Sequence, residues 1–184
     1  MMRSKKKHKN IFSTFDLKPS LEIDKEKLDK KYAELISQNH PDKFINKPLK
    51  SRQSAEAKTA QINEAYRTLS SPKAICQYMI DQMMEGQQAS EEEKIFDDDY
   101  MSETMMLHSE LHGLRSAKEC EHFRTKIINL YDVTFSQVKK GIIDKNLSVA
   151  QKHMNKLKFL EKILQHTRNK HFELEMNEIK QKQL

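Results

Sequence analysis

A histidine and an aspartate separated by one proline, His40-Pro41-Asp42, stand inside the run Ile36-Ser37-Gln38-Asn39-His40-Pro41-Asp42-Lys43-Phe44. An imidazole and a carboxylate two residues apart in one loop can support general acid–base work. No serine or cysteine nucleophile, glycine-rich loop or metal-ligand set accompanies them, so no catalytic residue is assigned and the protein is not expected to be an enzyme. A second pair, His108 and His112, has the i,i+4 spacing of two metal ligands on one helix face. Glu110 lies two residues after the first histidine, so the His-Glu-x-x-His pattern is absent and a solvent-facing pair is expected. Cys76 and Cys120 lie far apart in amphipathic runs, with no Cys-x-x-Cys, and read as buried reduced thiols. The acidic residues near 91–93 and 97–99 lack the glycine turns and alternating oxygens of a calcium loop. No metal and no cofactor is expected, and His40-Pro41-Asp42 is left as a short exposed loop between two helices.

The elements around it are helical by pattern. Three glycines, four prolines and few valines in 184 residues, with abundant Leu, Lys, Glu, Gln and Met, predict an all-α chain. With 33% of residues charged and 36% apolar, thin helical cores are expected rather than one thick one. Ile11, Phe12, Phe15 and Leu17 form a short apolar helix, stopped by Pro19. Asp24 caps a helix running to about Gln38, with Leu28, Tyr32, Leu35 and Ile36 on one stripe and Lys25, Lys27, Lys30 and Lys31 on the other face. Pro41 ends it, because its ring disfavours α geometry at His40 and it has no N–H. The loop continues to Pro48. The next helix spans 49–69, buries Ala55, Ile62, Ala65, Tyr66 and Leu69, and allows close approach through Ala57 and Ala60. These two helices are expected to pack antiparallel, with Phe12 and Phe15 on one side. A further helix covers 73–84 with Ile75, Tyr78, Met79 and Met83.

Residues 85–93 read as a polar, acidic linker, and Asp97-Asp98-Asp99 suits a helix N-terminus. Three long amphipathic segments follow, at about 97–114, 116–141 and 147–180. Their stripes are Tyr100, Thr104, Leu107, Leu111 and Leu114, then Phe123, Ile127, Leu130, Val138 and Ile142, then Ala150, Met154, Leu157, Leu160, Leu164 and His171. Short breaks near 113–116 and 143–146 predict antiparallel neighbours and a three-helix bundle. Met101 and Met105 widen the apolar face of the first segment. Phe159 and Ile163 fall off the stripe of the third, so they pack on a neighbour or form an exposed patch suited to binding another protein.

The formal net charge of +6 belongs to the N-terminal part. Residues 1–50 hold 13 Lys+Arg against 7 Asp+Glu, and the remainder is balanced, which points to an acidic partner there. The run Met1-Met2-Arg3-Ser4-Lys5-Lys6-Lys7-His8-Lys9 lacks the apolar stretch of a signal peptide and is expected as a solvated, disordered tail. It is short and lysine-heavy for a mitochondrial presequence, so a cytoplasmic location is expected, with the mitochondrial matrix as the alternative. No 18-residue apolar run exists and no membrane span is expected. Lysine clustering at a pI near 9.1 raises nucleic-acid binding, but no aromatic platform or arginine stripe supports it, and no nucleic-acid partner is expected.

A His-Pro-Asp loop between two antiparallel helices, with a basic face on the helix before it, resembles a J-domain, the module that activates DnaK-type chaperones. Ile62-Asn63-Glu64-Ala65-Tyr66-Arg67-Thr68-Leu69-Ser70-Ser71-Pro72 is similar to the end of that family's long second helix, and this likeness covers about 10–72. A J-domain, a connecting helix and a three-helix bundle in that order resemble HscB, the co-chaperone family of iron–sulfur cluster assembly. Tyr100-Met101-Ser102-Glu103-Thr104-Met105 is similar to that family's Phe-Leu-Met-Glu-Gln-Leu-type segment. Leu114-Arg115-Ser116-Ala117-Lys118-Glu119 and Lys156-Leu157-Lys158-Phe159-Leu160-Glu161-Lys162 resemble it too.

The resemblance implies four regions: a tail at 1–9, a J-domain at 10–72, a connecting helix and acidic linker at 73–96, and a scaffold-binding bundle at 97–184. It implies that His40, Pro41 and Asp42 dock on an HscA/DnaK-type chaperone and promote ATP hydrolysis, with Lys25, Lys27, Lys30 and Lys31 steering the approach. It implies that Met101, Met105 and Phe159 hold an IscU-type iron–sulfur scaffold, so that the chain is an adaptor between the two. Ser102 stands where the family often has methionine, and Met106, Ser109 and Gly113 where members can carry glutamate. The alternative is a general J-domain co-chaperone serving another client, which a pull-down enriching that client without the scaffold would favour.

Overall fold

The computed structural model describes residues 10–86 and 98–182, and every regular element among them is a helix. The chain divides into two compact units, Met1–Tyr78 and Met79–Leu184.

The first unit holds α1 (Ile11–Thr14), α2 (Lys25–Asn39), a 3-10 turn (Pro41–Phe44), α3 (Leu49–Leu69) and the start of α4 (Pro72–Gly86). The Asn10 side chain caps α1 by accepting the Phe12 N–H at 3.0 Å. The stop assigned to Pro19 comes earlier. Asp16 adopts φ 55°, which lets Leu17 N–H reach Phe12 O at 3.0 Å and Asp16 N–H reach Ser13 O at 3.4 Å. This left-handed reversal satisfies the last carbonyls of the helix, so its end is set before the proline is reached. Asp24 caps α2 as expected, its Oδ1 accepting Lys27 N–H at 3.1 Å. That backbone hydrogen bond, more than the Lys27 charge, holds the carboxyl below its ordinary pKa.

Helices α2 and α3 run antiparallel. Tyr66 donates to Asp29 Oδ1 at 2.8 Å, Tyr32 to Asn63 Oδ1 at 3.0 Å and Thr59 to Asn39 O at 2.9 Å, one residue number falling as the other rises. The Tyr32 and Tyr66 rings stack with centroids 4.0 Å apart. Phe12, Phe15, Leu28, Ala55, Ile62, Ala65 and Leu69 are the buried apolar side chains of this part of the unit. Ala57 and Ala60, expected to permit close approach, are exposed. The 3.6-residue period counted from Ile62 carries both to the solvent side, and Ala55 and Ala65 are the small residues that face inward. In α4 the buried positions are Ile75, Cys76 and Ile80, while Tyr78, Met79 and Met83 are half-buried. Tyr78 accepts the Ile11 N–H at 3.4 Å, and its ring meets Phe12 edge-on at 6.0 Å.

The second unit continues from Met79 into α5 (Asp98–Gly113), α6 (Ala117–Ile143) and α7 (Leu147–Lys182). Glu85 and Gly86, expected as the start of the acidic linker, instead close α4, while residues 87–93 and the Asp97 cap expected before α5 lie outside the described residues. Facing pairs fix the directions. Gly141 lies against Ala150, and Tyr131 donates to Glu161 at 3.3 Å, so α6 and α7 are antiparallel. Lys126 holds Glu110 across α5 and α6, and a groove beside that pair runs from Ser102 of α5 to Val133 of α6, again antiparallel. Lys156 with Glu103, and Lys170 with Leu111 and His112, then place α5 parallel to α7. The result is the up-down-up bundle that short connections require.

The α6–α7 joint is a second left-handed reversal. Lys145 sits at φ 54°, Asn146 N–H reaches Gly141 O at 2.8 Å, and Asn146 Oδ1 then caps α7 through Val149 N–H at 3.1 Å. The bundle core joins Leu107, Leu111 and Leu114 to Cys120, Phe123 and Ile127 of α6 and to Leu160 and Ile163 of α7. Ile163 therefore takes the neighbour-packing option, and Leu164, placed on the stripe by sequence, only half-buries. Buried Thr134 and Thr167 interrupt the apolar stripes. Each returns its hydroxyl proton to the carbonyl four residues back, at 2.7 Å, so neither hydroxyl is stranded. No helix among the described residues is long and apolar enough to cross a membrane.

Candidate functional site

The helix break at the tip of the α2–α3 hairpin follows from Pro41. His40 leaves the α region at ψ 130°, and Pro41 opens the 3-10 turn. Asn39, the last residue of α2, is buried and ties the break down: its amide donates to Leu35 O at 2.7 Å, and its carbonyl accepts Thr59. His40 then caps the turn, its Nδ1 accepting the Asp42 N–H at 3.3 Å. An acceptor Nδ1 places the neutral ring's proton on Nε2, leaving an N–H donor for a partner. Asp42 Oδ2 lies 3.5 Å from the same Nδ1, and its side chain is 77% exposed. The loop expected to continue to Pro48 opens with the 3-10 turn Pro41–Phe44, which presents a ring donor and a carboxylate acceptor beside each other and open to solvent.

The four lysines of α2 are not equivalent. Lys27 pairs with Asp24 at 3.0 Å. Lys31 reaches Asp16 at 3.0 Å and Glu34 at 3.3 Å, and the hydrogen bond to Asp16 raises its pKa. Lys25 and Lys30 are exposed and pair with no carboxylate among the described residues. The Asp16 reversal that ends α1 is also what brings a carboxylate to Lys31, a tertiary pairing that helix periodicity cannot show.

In the second unit, Met101 and Met105 are 51% and 69% exposed on α5. Phe159 of α7 is half-buried and holds Tyr100 edge-on at 6.3 Å and His108 edge-on at 5.5 Å between ring centroids. Burial raises the Tyr100 pKa, with the Glu103 charge adding to it. Helical spacing puts Met101, Met105, His108 and His112 on one side of α5, the side on which His108 meets Phe159. His108 is therefore not a plain solvent residue, although His112 is exposed. No three His, Cys, Asp or Glu side chains converge among the described residues.

Sequence reasoning missed how α5 is held. Lys156, its side chain 19% exposed, donates to Glu103 Oε1 at 2.7 Å. Four turns further along α7, Lys170 Nζ donates to Leu111 O at 2.8 Å and His112 O at 2.7 Å, capping the last carbonyls of α5. Both lysines look like ordinary surface charges in the sequence, and only the parallel placement of α5 on α7 gives them partners.

Residues 11–78 match the DnaJ domain family. The chain is 27% identical over 159 residues to Co-chaperone protein HscB of Proteus mirabilis, covering 84% of this chain and 91% of that protein. It is 28% identical over 161 residues to the Co-chaperone protein HscB homolog of Vibrio vulnificus, covering 84% and 92%. Among solved structures, chaperone HscB from Vibrio cholerae superposes with a TM-score of 0.74 at 25% identity, covering 90% of this chain and 99% of that one. The human co-chaperone protein HscB superposes with a TM-score of 0.75 over 92% of this chain and 85% of its own, and at 19% identity it speaks for the fold alone.

Proposed function

Because the chain is an HscB-type J-domain co-chaperone, we propose that it stimulates the ATPase of an HscA/DnaK-type chaperone and brings to it an IscU-type scaffold, assisting iron–sulfur cluster transfer. The observation that carries this reading is the capped turn at His40-Pro41-Asp42. There a backbone N–H occupies the inner ring nitrogen, which leaves Nε2–H and the Asp42 carboxylate to a partner. A carboxylate meeting a cationic donor forms a directional, charge-assisted pair. Pro41 fixes the break that exposes both groups. Lys25 and Lys30, unpaired among the described residues, supply positive potential on the adjoining helix, with Lys27 and Lys31 adding charge that Asp24, Asp16 and Glu34 partly offset. Approach to an acidic chaperone surface is then steered by charge and weakens with salt.

The client arm is Met101, Met105 and Phe159. Exposed methionines suit a contact that must form and release, because their unbranched side chains adapt to the partner. Phe159, fixed by Tyr100 and His108, is the rigid element of that face. The chain performs no bond chemistry in this scheme. It changes the rate of the chaperone's own reaction and raises the client's local concentration beside it.

Single-turnover ATPase of the cognate chaperone, measured with this protein, with the scaffold, and with both, tests the two arms together. Stimulation by the protein alone and a more than additive rate with both are expected. No stimulation by the protein removes the chaperone arm, and strictly additive rates remove the client arm.

A further inference from the structure

α7 continues past the bundle it belongs to. Leu174 is its last half-buried side chain, and every residue from Glu175 to Lys180 is exposed. A short helical stretch without packing is marginal in water. This one nevertheless carries large apolar side chains: Phe172 is 63%, Met176 39% and Ile179 50% exposed. At about 100° per residue the three share one stripe. It lies on the side of α7 opposite buried Ile163 and Thr167 and opposite Lys170, which holds the end of α5. The stripe is also about 130° around the helix from Phe159, so it does not extend the Met101–Met105–Phe159 face.

The spacing of four and three makes Phe172, Met176 and Ile179 the d, a and d positions of a heptad. The seam is flanked by Arg168 and Glu175 at g and by Glu173 and Lys180 at e, all exposed. Among the described residues Arg168, Glu173 and Lys180 form no ion pair, while Glu175 lies 3.4 Å from His171 Nδ1. In a parallel pair of helices, each g position meets the e position five residues on in the other copy. Arg168 then meets Glu173 of the second copy and Glu175 meets its Lys180, so opposite charges face each other along both sides of the seam. An antiparallel pair that sets Phe172 against Met176 instead brings Glu173 onto Glu173 and Glu175 onto Glu175. A charge pattern complementary to itself in one orientation fits a second copy of this chain. Upstream, the next seam positions are Asn169, Gln165 and Lys162, and a lysine beside its own symmetry mate is repelled. The contact is therefore confined to the last turns of α7.

We propose that the free end of α7 pairs with the same segment of a second copy as a short parallel coiled coil, with Phe172, Met176 and Ile179 as its core. So few core layers make a weak, concentration-dependent dimer rather than an obligate one. Because the stripe faces away from the bundle, replacing its residues leaves the bundle core intact.

Sedimentation velocity of the full chain at low salt, over a hundredfold range of concentration, tests it. The variants are Ile179→Glu, Glu175→Lys, Lys180→Glu, the double variant Glu175→Lys with Lys180→Glu, and Ile143→Glu. Ile143 is equally open to solvent, on the last turn of α6, and reports any general effect of added negative charge. The wild type is expected to move from monomer toward dimer as concentration rises, and Ile179→Glu to stay monomeric throughout. Each single charge reversal turns two attractive pairs per dimer into two repulsive ones and is expected to raise the dimer Kd about fivefold. The double variant exchanges the two charges and is expected to return within twofold of wild type, as is Ile143→Glu. Lysine and glutamate are comparable helix formers, so this rescue is not a helix-stability effect. A wild type that stays monomeric at every concentration overturns the proposal. So does a dimer that survives Ile179→Glu, a double variant as weak as the single reversals, or an equal loss in Ile143→Glu.

Discussion

Replacing Gly141 by alanine sets two effects of opposite sign against each other. Gly141 lies within α6 and has no positive φ, so backbone freedom is not what it supplies. By helix propensity alone, alanine stabilises such a position by about 1 kcal/mol. A Cβ built at Gly141 would stand 2.7 Å from Ala150 N and 2.9 Å from Ala150 Cα. Those are backbone atoms of the first turn of α7, a place that cannot yield by a rotamer change. Overpacking of this kind costs roughly 1–3 kcal/mol, and a clash with backbone belongs at the upper end. The net expectation is a destabilisation of about 1–2 kcal/mol, opposite in sign to the propensity effect. Urea unfolding followed by circular dichroism is the assay. With a slope of about 2 kcal/mol per M, the midpoint of the bundle's transition falls by roughly 0.5–1 M. Forced separation at this joint also displaces α7, which carries Phe159, Lys156 and Lys170, so scaffold affinity is expected to fall alongside. A midpoint equal to or above that of the wild type would refute the close approach of α6 and α7, since propensity would then have won.

Other perturbations isolate single contacts. His40→Gln is expected to abolish chaperone ATPase stimulation with unchanged helical content; full stimulation by the variant would remove the turn from the docking surface. Lys170→Met leaves Leu111 O and His112 O without their charged donor, which costs about 1–2 kcal/mol of bundle stability at a partly exposed site, measured by urea unfolding. His153 is half-buried, its Nδ1 meets no hydrogen-bond partner among the described residues, and burial, reinforced by Lys156 and Lys152, lowers its pKa below 6.5. The unfolded chain then binds more protons than the folded one between that lowered value and 6.5. Stability is full above pH 6.5 and falls as the pH drops through this window. His153→Leu should flatten that part of the stability–pH curve, and an unchanged slope would assign it to other groups.

The elements were legible because each is signalled within a few residues. Asp24 names the start of α2, Pro41 its end, and Ser70-Ser71-Pro72 the close of α3, and all three act through local sterics or local hydrogen bonds. The 3.6-residue period identified Leu28, Ile62, Leu107, Ile127 and Leu160 as core, and the bundle followed from short breaks between long helices. The same reasoning misjudged Pro19 as the stop of α1, because Asp16 in a left-handed conformation looks like any aspartate. It misjudged Ala57 and Ala60 because small size says nothing about facing. It placed Leu164 on the stripe ahead of Ile163 because a helix flanked by two neighbours buries a wider arc than one seam predicts.

The candidate site divides in the same way. The residues His40, Pro41 and Asp42, the lysines of α2 and the surplus methionines of α5 were all visible as types and spacings. That Nδ1 of His40 is turned inward to the Asp42 amide, and that Lys31 is answered by Asp16, depend on a turn and a reversal that bring separate segments together. Phe159 seated between Tyr100 and His108, Lys156 on Glu103 and Lys170 on the end of α5 all need three helices in register. A sequence states what each side chain can donate, accept or bury within its own few turns. Which charge is neutralised, and which apolar surface is left over for a partner, depends on distances between residues tens of positions apart, and only the folded chain sets those.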